Sequence, residues 1–181
     1  MSEETKKERP NEEECLRLLR NYGTPEHVIR HCLAVAKAAE ILADALNKNG
    51  YALDVDLIRF AACLHDIARV HSRHAAVGAE YLRSLGYEEA ADLIKPHMIY
   101  APENPEHVRE LDVLCLADRM IKEDRYIGLE KRMTEILGRN RENPEVYGKI
   151  QGKIYQTLKQ RNFIQNVIGC SMDCLLLDKI P

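Results

Sequence analysis

The sequence predicts an all-α protein, a single domain of seven or eight helices. Apolar residues recur at three- and four-residue intervals through most of the 181 residues, which is typical of helices that bury one face. Caps and stop signals separate these stretches from one another. No segment of the sequence alternates between polar and apolar residues for long enough to indicate a strand. We therefore expect the core to be formed by helices packed on helices.

Start and stop signals place the helices in order. Asn11 before three glutamates starts the first, Thr24-Pro25-Glu26 starts the second, and Asp54 caps the third, whose amphipathic stretch is 57–69. Pro96 and the two prolines of 100–105 limit the helices in the middle of the chain, and Asn143-Pro144 starts a long final helix. The predicted helices begin and end near residues 11–21, 26–48, 54–69, 74–85, 88–97, 106–123 and 127–138, with the last one starting at 144. Residues 168–181 show no clear period.

The predicted domain organisation has three parts. Residues 1–10 are charged and end in proline, which predicts a disordered leader. Residues 11–140 form the main helical domain, and residues 141–181 add a helix and tail that pack on it.

Composition excludes several classes of function. The net charge of −3, from 26 basic and 29 acidic residues, is not the electrostatic pattern of a protein that binds nucleic acid polymers or membranes. The first nine residues contain no apolar stretch that could act as a signal peptide, and no run approaches the ~18 apolar residues of a membrane span. We expect a cytoplasmic protein, and a homodimer stays open.

Four histidines and two aspartates lie at positions where the helical period predicts an apolar side chain. They come from five predicted helices or helix starts, and they are His31, His65, Asp66, His74, His97 and Asp118. A single buried histidine is usually a hydrogen-bonded core residue, and a single buried aspartate is usually paired with an arginine. Two carboxylates buried together, however, need a shared cation to offset the loss of hydration.

The residue types predict one or two divalent ions of a first-row transition metal (Fe, Mn, Co, Ni or Zn). Imidazole with carboxylate favours these metals over calcium and magnesium, which prefer all-oxygen ligands. Asp66 has two oxygens and could bridge two ions, with His31, His65 and Asp118 on the first and His74 and His97 on the second. Two such ions would clamp a phosphate and activate a water molecule.

At these residues the chain resembles the HD superfamily of metal-dependent phosphohydrolases. His31, His65-Asp66 and Asp118 match its H…HD…D signature, and the stretches 65–69, 74–79, 94–97 and 116–119 resemble further family segments. The subset with both additional histidines includes enzymes that hydrolyse diadenosine tetraphosphate. The resemblance implies an all-helical HD-domain bundle, and hydrolysis of a phosphate ester or phosphoanhydride in a small, nucleotide-like substrate by a metal-bound hydroxide.

Three basic residues near the expected ligands are candidates for binding the substrate: Arg69, Lys95 and Arg119. Arg69 stands where the family has lysine, and its guanidinium can bind a phosphate with two hydrogen bonds. We therefore predict that Asp66 and Arg69 act in catalysis. His71 is an alternative to His74 as a ligand.

Two other interpretations remain open. A degenerate HD domain could bind a nucleotide or a metal as a regulatory module without turnover. A purely structural helical domain is the third interpretation, and it predicts that Asp66→Asn and Asp118→Asn would stabilise the fold.

Overall fold

The computed structural model describes residues 9–180, and within this range the regular secondary structure is helical except for one short hairpin. The elements in chain order are α1 (Glu12–Tyr22), α2 (Glu26–Asn47), α3 (Val55–Leu64), α4 (His74–Ser84), α5 (Glu88–Ile94), α6 (Glu110–Asp118), β1 (Ile121–Lys122), β2 (Arg125–Tyr126), α7 (Leu129–Arg139), α8 (Pro144–Ile168) and α9 (Met172–Leu176). The all-α prediction is confirmed.

Helix α2 lies at the centre of the described chain. It packs against α3 and α6, and it also contacts α8 and α9. Alanines are buried around much of its circumference, at Ala34, Ala38, Ala39 and Ala43. Because alanine has a short side chain, neighbouring helices can approach the α2 backbone from several sides. This packing holds His31, which α2 carries, in a fixed position relative to α3 and α6.

The segment that carries His65 and Asp66 differs from its prediction. The sequence predicts a helix through 57–69, but α3 ends at Leu64. Beyond this point the backbone bonds span three residues, from Ile67 N to Leu64 O (3.1 Å) and from Arg69 N to Asp66 O (2.9 Å). The chain therefore winds more tightly after α3, and residues 65–73 form a series of turns that connects it to α4.

Two middle helices are shorter than predicted. Helix α5 ends at Ile94 instead of 97, and α6 covers Glu110–Asp118 instead of 106–123. The chain after α6 forms a small antiparallel hairpin in which Ile121 pairs with Tyr126. Its turn contains Glu123 at φ 56°. Strands of two residues are too short to show an alternating pattern, which is why the sequence does not indicate them.

The ends of the helices confirm some caps and correct one. Asn11, Asp54 and Asn143 accept hydrogen bonds from backbone N–H groups at the starts of α1, α3 and α8. Thr24, in contrast, does not cap α2, because Pro25 occupies that position and has no capping side chain. The Thr24 hydroxyl instead donates to the carbonyl of Ile67 (2.7 Å). It thus fastens the α1–α2 connection to the turns that follow α3.

The chain on either side of the central helices packs against them. Of the predicted leader, residues 1–8 lie outside the described residues, while Arg9 is paired with Asp54 and Glu89, and Pro10 is buried. The tail contributes α9, a five-residue helix capped by Ser171. Among the described residues, none of the helices has the length and apolar character needed to cross a membrane.

Candidate metal centre and adjoining cavity

The structure brings the six predicted ligands into one cluster. His31 comes from α2, His65 and Asp66 from the turns after α3, His74 from the start of α4, His97 from the turn after α5 and Asp118 from the end of α6. Four of the six are buried, and His31 and Asp118 are half-buried at its edge. Neighbouring imidazole rings lie 5.3–5.5 Å apart between centroids.

Asp66 lies between two sets of histidines. Its Oδ1 is 3.1 Å from His74 Nε2 and 3.6 Å from His97 Nε2. Its Oδ2 is 3.9 Å from His65 Nε2. The other carboxylate, Asp118, places Oδ1 at 3.1 Å from His31 Nε2 and 3.6 Å from His65 Nε2. The two oxygens of Asp66 are therefore directed toward different partners.

Backbone carbonyls orient three of the histidine rings. The Nδ1 atoms of His31, His65 and His97 lie 2.6–2.7 Å from the carbonyl oxygens of Glu123, Ala62 and Ile94, respectively. A carbonyl can only accept a hydrogen bond, so each Nδ1 must carry the proton. In the neutral ring Nε2 then has a free lone pair, which is the usual arrangement in a metal-binding histidine.

This arrangement requires a cation among the side chains. A neutral Nε2 lone pair and a carboxylate oxygen are both acceptors, and they repel each other at 3.1–3.6 Å unless a proton or a metal ion lies between them. Moreover, His65 Nε2 and Asp66 Oδ1 are buried without a hydrogen-bond partner. Because unsatisfied buried polar atoms are rare and costly, these atoms fit the role of metal ligands.

Two overlapping groups of ligand atoms could hold a metal ion. One consists of His31, His65 and Asp66, the other of Asp66, His74 and His97, and within each group the atoms lie within 4.8 Å of one another. Asp118 lies beside the first group. Asp66 belongs to both groups, whereas Asp118 belongs to neither, and the assignment of the six residues to two ions stays a prediction.

His74 is held differently from the other three histidines. Its ring nitrogens lie 3.2 and 3.3 Å from Arg69 Nη1, and no backbone carbonyl fixes its protonation. Arg69 also approaches Asp66, with Nε 3.4 Å from Oδ2, while about half of its side chain stays exposed. The alternative ligand His71 is exposed and packs against Tyr22, outside the cluster.

The charges of the cluster shift its acid–base equilibria. Burial opposes the ionisation of Asp66 and Asp118, but the neighbouring histidines outweigh it and hold both carboxyl pKa values well below the ordinary range. Burial also opposes protonation of His65, yet Cys32, Asp66 and Asp118 around its ring raise its pKa well above 6.5. In the metal-free protein a proton on His65 supplies part of the missing positive charge.

A cavity of about 520 Å³ opens from this cluster toward the C-terminal helices. His31, Asp66, His97 and Asp118 line one end, and α7 and α8 form the opposite wall. Of the three predicted substrate-binding residues, Arg69 and Arg119 line this cavity. Lys95 does not, because it is exposed at the end of α5.

Sequence reasoning did not identify the cationic residues of the opposite wall. Arg132 and Lys153 both line the cavity, as does Thr157. Lys153 and Thr157 each follow a residue of the apolar row Ile150, Ile154 by three positions, so they lie on the next ridge of the same helix. Their position beside this apolar row was the sequence feature that could have indicated that they line the cavity.

Comparison with known proteins yields relatives that are longer than the matched region. An uncharacterised protein of Methanocaldococcus jannaschii is 42% identical over 102 residues, which are 55% of this chain and 60% of that protein. Proteins named tRNA (cytidine(56)-2'-O)-methyltransferase are 27% identical in Thermoplasma volcanium and 29% identical in Picrophilus torridus. They match 91% and 72% of this chain, which spans only 49% and 42% of their own lengths. The chain thus spans about half the length of the curated relatives it matches, and no solved structure matches it significantly.

The sequence pattern of one family covers the central helices and the candidate metal centre. It is the HD domain, and its match extends over residues 28–122, just over half of the chain. That range contains all six residues of the cluster, on an all-helical framework. The chain belongs to the HD domain family.

Proposed function

We propose that this protein is a metal-dependent phosphohydrolase that cleaves a phosphate ester or phosphoanhydride in a small, nucleotide-like substrate. The observation that carries this proposal is the buried cluster in which imidazole lone pairs face carboxylate oxygens. Such a cluster fits one or two divalent transition-metal ions shared through Asp66. The adjoining cavity is large enough for a small ligand.

The bound ions would act as Lewis acids, both on the phosphate and on the attacking water. The residues of the chain place them. Backbone carbonyls fix the rings of His31, His65 and His97, so the ligand set is rigid before the ions bind. Arg69 lines the cavity beside Asp66, where its guanidinium can bind a phosphate oxygen and stabilise the negative charge that develops in the transition state.

Methyl transfer is not part of this proposal. The methyltransferase name belongs to whole proteins of which this chain spans about half. The atoms that the cluster directs inward are metal ligands, and they suit the activation of water. We therefore propose a small phosphorylated substrate in place of a nucleic acid polymer, which also agrees with the net charge of −3.

The test compares the purified wild-type protein with Asp66→Ala and with Asp56→Ala, an exposed aspartate on α3 that serves as the matched control. Elemental analysis should find bound transition metal in the wild type and the control, and little in Asp66→Ala. Hydrolysis of p-nitrophenyl phosphate and of a panel of nucleotides, with manganese, iron or cobalt added, should fall by at least about 100-fold in Asp66→Ala.

A wild-type protein without stoichiometric metal and without hydrolysis under these conditions contradicts the proposal. Stabilisation by nucleotides without any turnover would instead support a regulatory module.

A further inference from the structure

The far wall of the cavity is formed by helices outside the family match. Helices α7 and α8 begin at Leu129 and Pro144, beyond the end of the HD match at residue 122. Their side chains nevertheless line the cavity that contains the metal-binding residues. A ligand that occupies this cavity and reaches the metal-binding residues can therefore also contact α7 and α8.

Two basic side chains on this wall have no hydrogen-bonded or ion-paired partner within the described residues. In the described part of the chain, neither the guanidinium of Arg132 nor the ammonium of Lys153 makes a hydrogen bond or an ion pair. The Nε atom of Arg132 is also buried. Glu135, one turn further along α7, is paired with Lys122 (2.9 Å), and its pKa is lowered mainly by Lys122 and to a smaller extent by Arg132. Lys153 makes no ion pair among the described residues and Arg132 shares the charge of Glu135 with Lys122, so the positive charge of this half-buried wall is incompletely compensated and an anion from outside the chain fits this position.

A third cation beside them already has hydrogen-bond partners, although these partners are uncharged. The guanidinium of Arg119 donates to Thr157 Oγ1 (2.9 Å) and to the carbonyl of Tyr100. These neutral partners fix its position but leave its positive charge uncompensated. Burial and this charge together lower the pKa of Lys153. Apart from Asp66 and Asp118, Glu123 is the acidic residue among the cavity-lining residues. The wall is thus electropositive.

Apolar side chains accompany the cations in the lining of the cavity. They are Val28, Met133, Ile136, Ile150 and Ile154, which come from α2, α7 and α8. A ligand that reaches from the metal centre to this wall meets apolar surface as well as the cations. Its body should therefore be apolar or aromatic, because a fully hydrated linker would gain nothing from this surface.

We infer that the substrate carries two anionic groups: a phosphate that binds at the metal centre, and a second phosphate or carboxylate, joined to it by an apolar or aromatic body, that binds Arg132 and Lys153. The inference rests on the proposed function only in placing the first phosphate at the metal centre. It assigns α7 and α8 the role of selecting substrates by their second charge.

The test measures binding and needs no turnover. Isothermal titration of the metal-loaded protein compares alkyl phosphonates with alkane bisphosphonates and ω-carboxyalkyl phosphonates of propyl, hexyl and decyl length, none of which a phosphohydrolase can cleave. For at least one length, the wild type should bind a doubly anionic compound about 10-fold or more tighter than the singly anionic one, as expected for a charge-assisted hydrogen bond. Whether the phosphonate or the carboxylate is preferred identifies the second group.

The variant Arg132→Gln/Lys153→Gln should lose this preference and still bind the singly anionic compounds as the wild type does. Lys131→Gln/Lys159→Gln removes the same charge from exposed positions on the same two helices and should keep the preference. Equal binding of both classes by the wild type, or an unchanged preference in the first variant, would overturn the inference. A clear preference in a protein that hydrolyses no phosphate ester would remove the proposed function and leave the second anion site standing.

Discussion

At the scale of single residues, the polar atoms of the cluster fall into two groups: those with a hydrogen-bond partner in the protein and those without one. Three Nδ1 atoms are satisfied by backbone carbonyls, whereas His65 Nε2 and Asp66 Oδ1 are buried without a partner. The backbone carbonyls therefore orient the imidazole rings, and the atoms that point into the cluster remain available to a cation. In the metal-free protein, protons are the only cations that can take that place.

Because protons take the place of the metal ion in the metal-free protein, we predict that this form loses stability as the pH rises. Since the folded protein raises the pKa of His65 above its ordinary value of 6.5, the folded state binds this proton more tightly than the unfolded state does. The stabilisation is complete below about pH 6.5 and is lost as the pH rises through the folded pKa. Thermal unfolding of chelator-treated protein should show a Tm that falls over this window.

Added manganese should remove most of that slope, because the metal replaces the proton between the same atoms. The variant His107→Gln, which changes an exposed histidine, should keep the slope of the wild type. A metal-free Tm that is flat or rises from pH 6.5 upward would show that His65 is not held protonated by the carboxylates.

The same residues show what sequence can and cannot reveal about a site. Histidine and aspartate in an apolar row stand out, because burial of either is costly without a partner. Arg132 and Lys153 give no such signal, since a basic residue on an amphipathic helix usually faces solvent with its stem along the apolar surface. Their position in the cavity depends on how α7 and α8 pack, which their own periodicity does not determine.

At the scale of elements, the turns of 65–73 are held by close packing from two directions. Thr24 binds the Ile67 carbonyl on one side. On the other, α4 approaches so closely that a Cβ at Gly78 would lie 3.1 Å from Ile67 Cγ2 and 3.7 Å from Ala68 Cβ. Glycine at this position lets α4, with His74 at its start, lie directly against the turn that carries Asp66.

Substitution at Gly78 should therefore act on both stability and metal binding. Gly78→Val places a Cβ atom and two methyl groups in this contact and should destabilise the fold by about 1–3 kcal/mol. Metal binding should also weaken, because the turn must move. Gly152→Ala on α8 meets nothing within 4 Å and should stabilise by about 0.5–1 kcal/mol through helix propensity alone. Chemical denaturation measures both, and a Gly78→Val protein as stable as the wild type would contradict the close contact.

The boundaries of the elements separate local from tertiary control. Helices α1, α7 and α8 begin within two residues of their predicted starts, because capping residues and glycines act locally. Helix α3 ends before the prediction although its apolar row continues to Ala68, since the tighter turns of 65–69 still bury Ile67 and Ala68. Periodicity reports which side chains are buried, and it does not distinguish an α-helix from tight turns that bury the same residues.

At the scale of the whole molecule, the candidate metal centre joins segments that are distant in sequence. Its residues come from α2, the turns after α3, the start of α4, the turn after α5 and the end of α6. Helices α7 and α8 then close the cavity from outside the region that matches the family. A ligand bound between them would thus contact both the HD region and the C-terminal helices.

Removal of the metal should consequently lower the stability of the whole fold. A metal ion whose free concentration is about 100 times its dissociation constant stabilises the native state by about 2.7 kcal/mol, provided that it does not bind the unfolded chain. For a domain of this size, such a loss should lower Tm by roughly 5–10 °C, measured by calorimetry at pH 7.5 before and after chelation. Asp66→Asn should unfold at the same temperature with and without chelator, because its site is incomplete. If chelation leaves the wild-type Tm unchanged, the cluster does not bind metal strongly enough to act as the proposed centre.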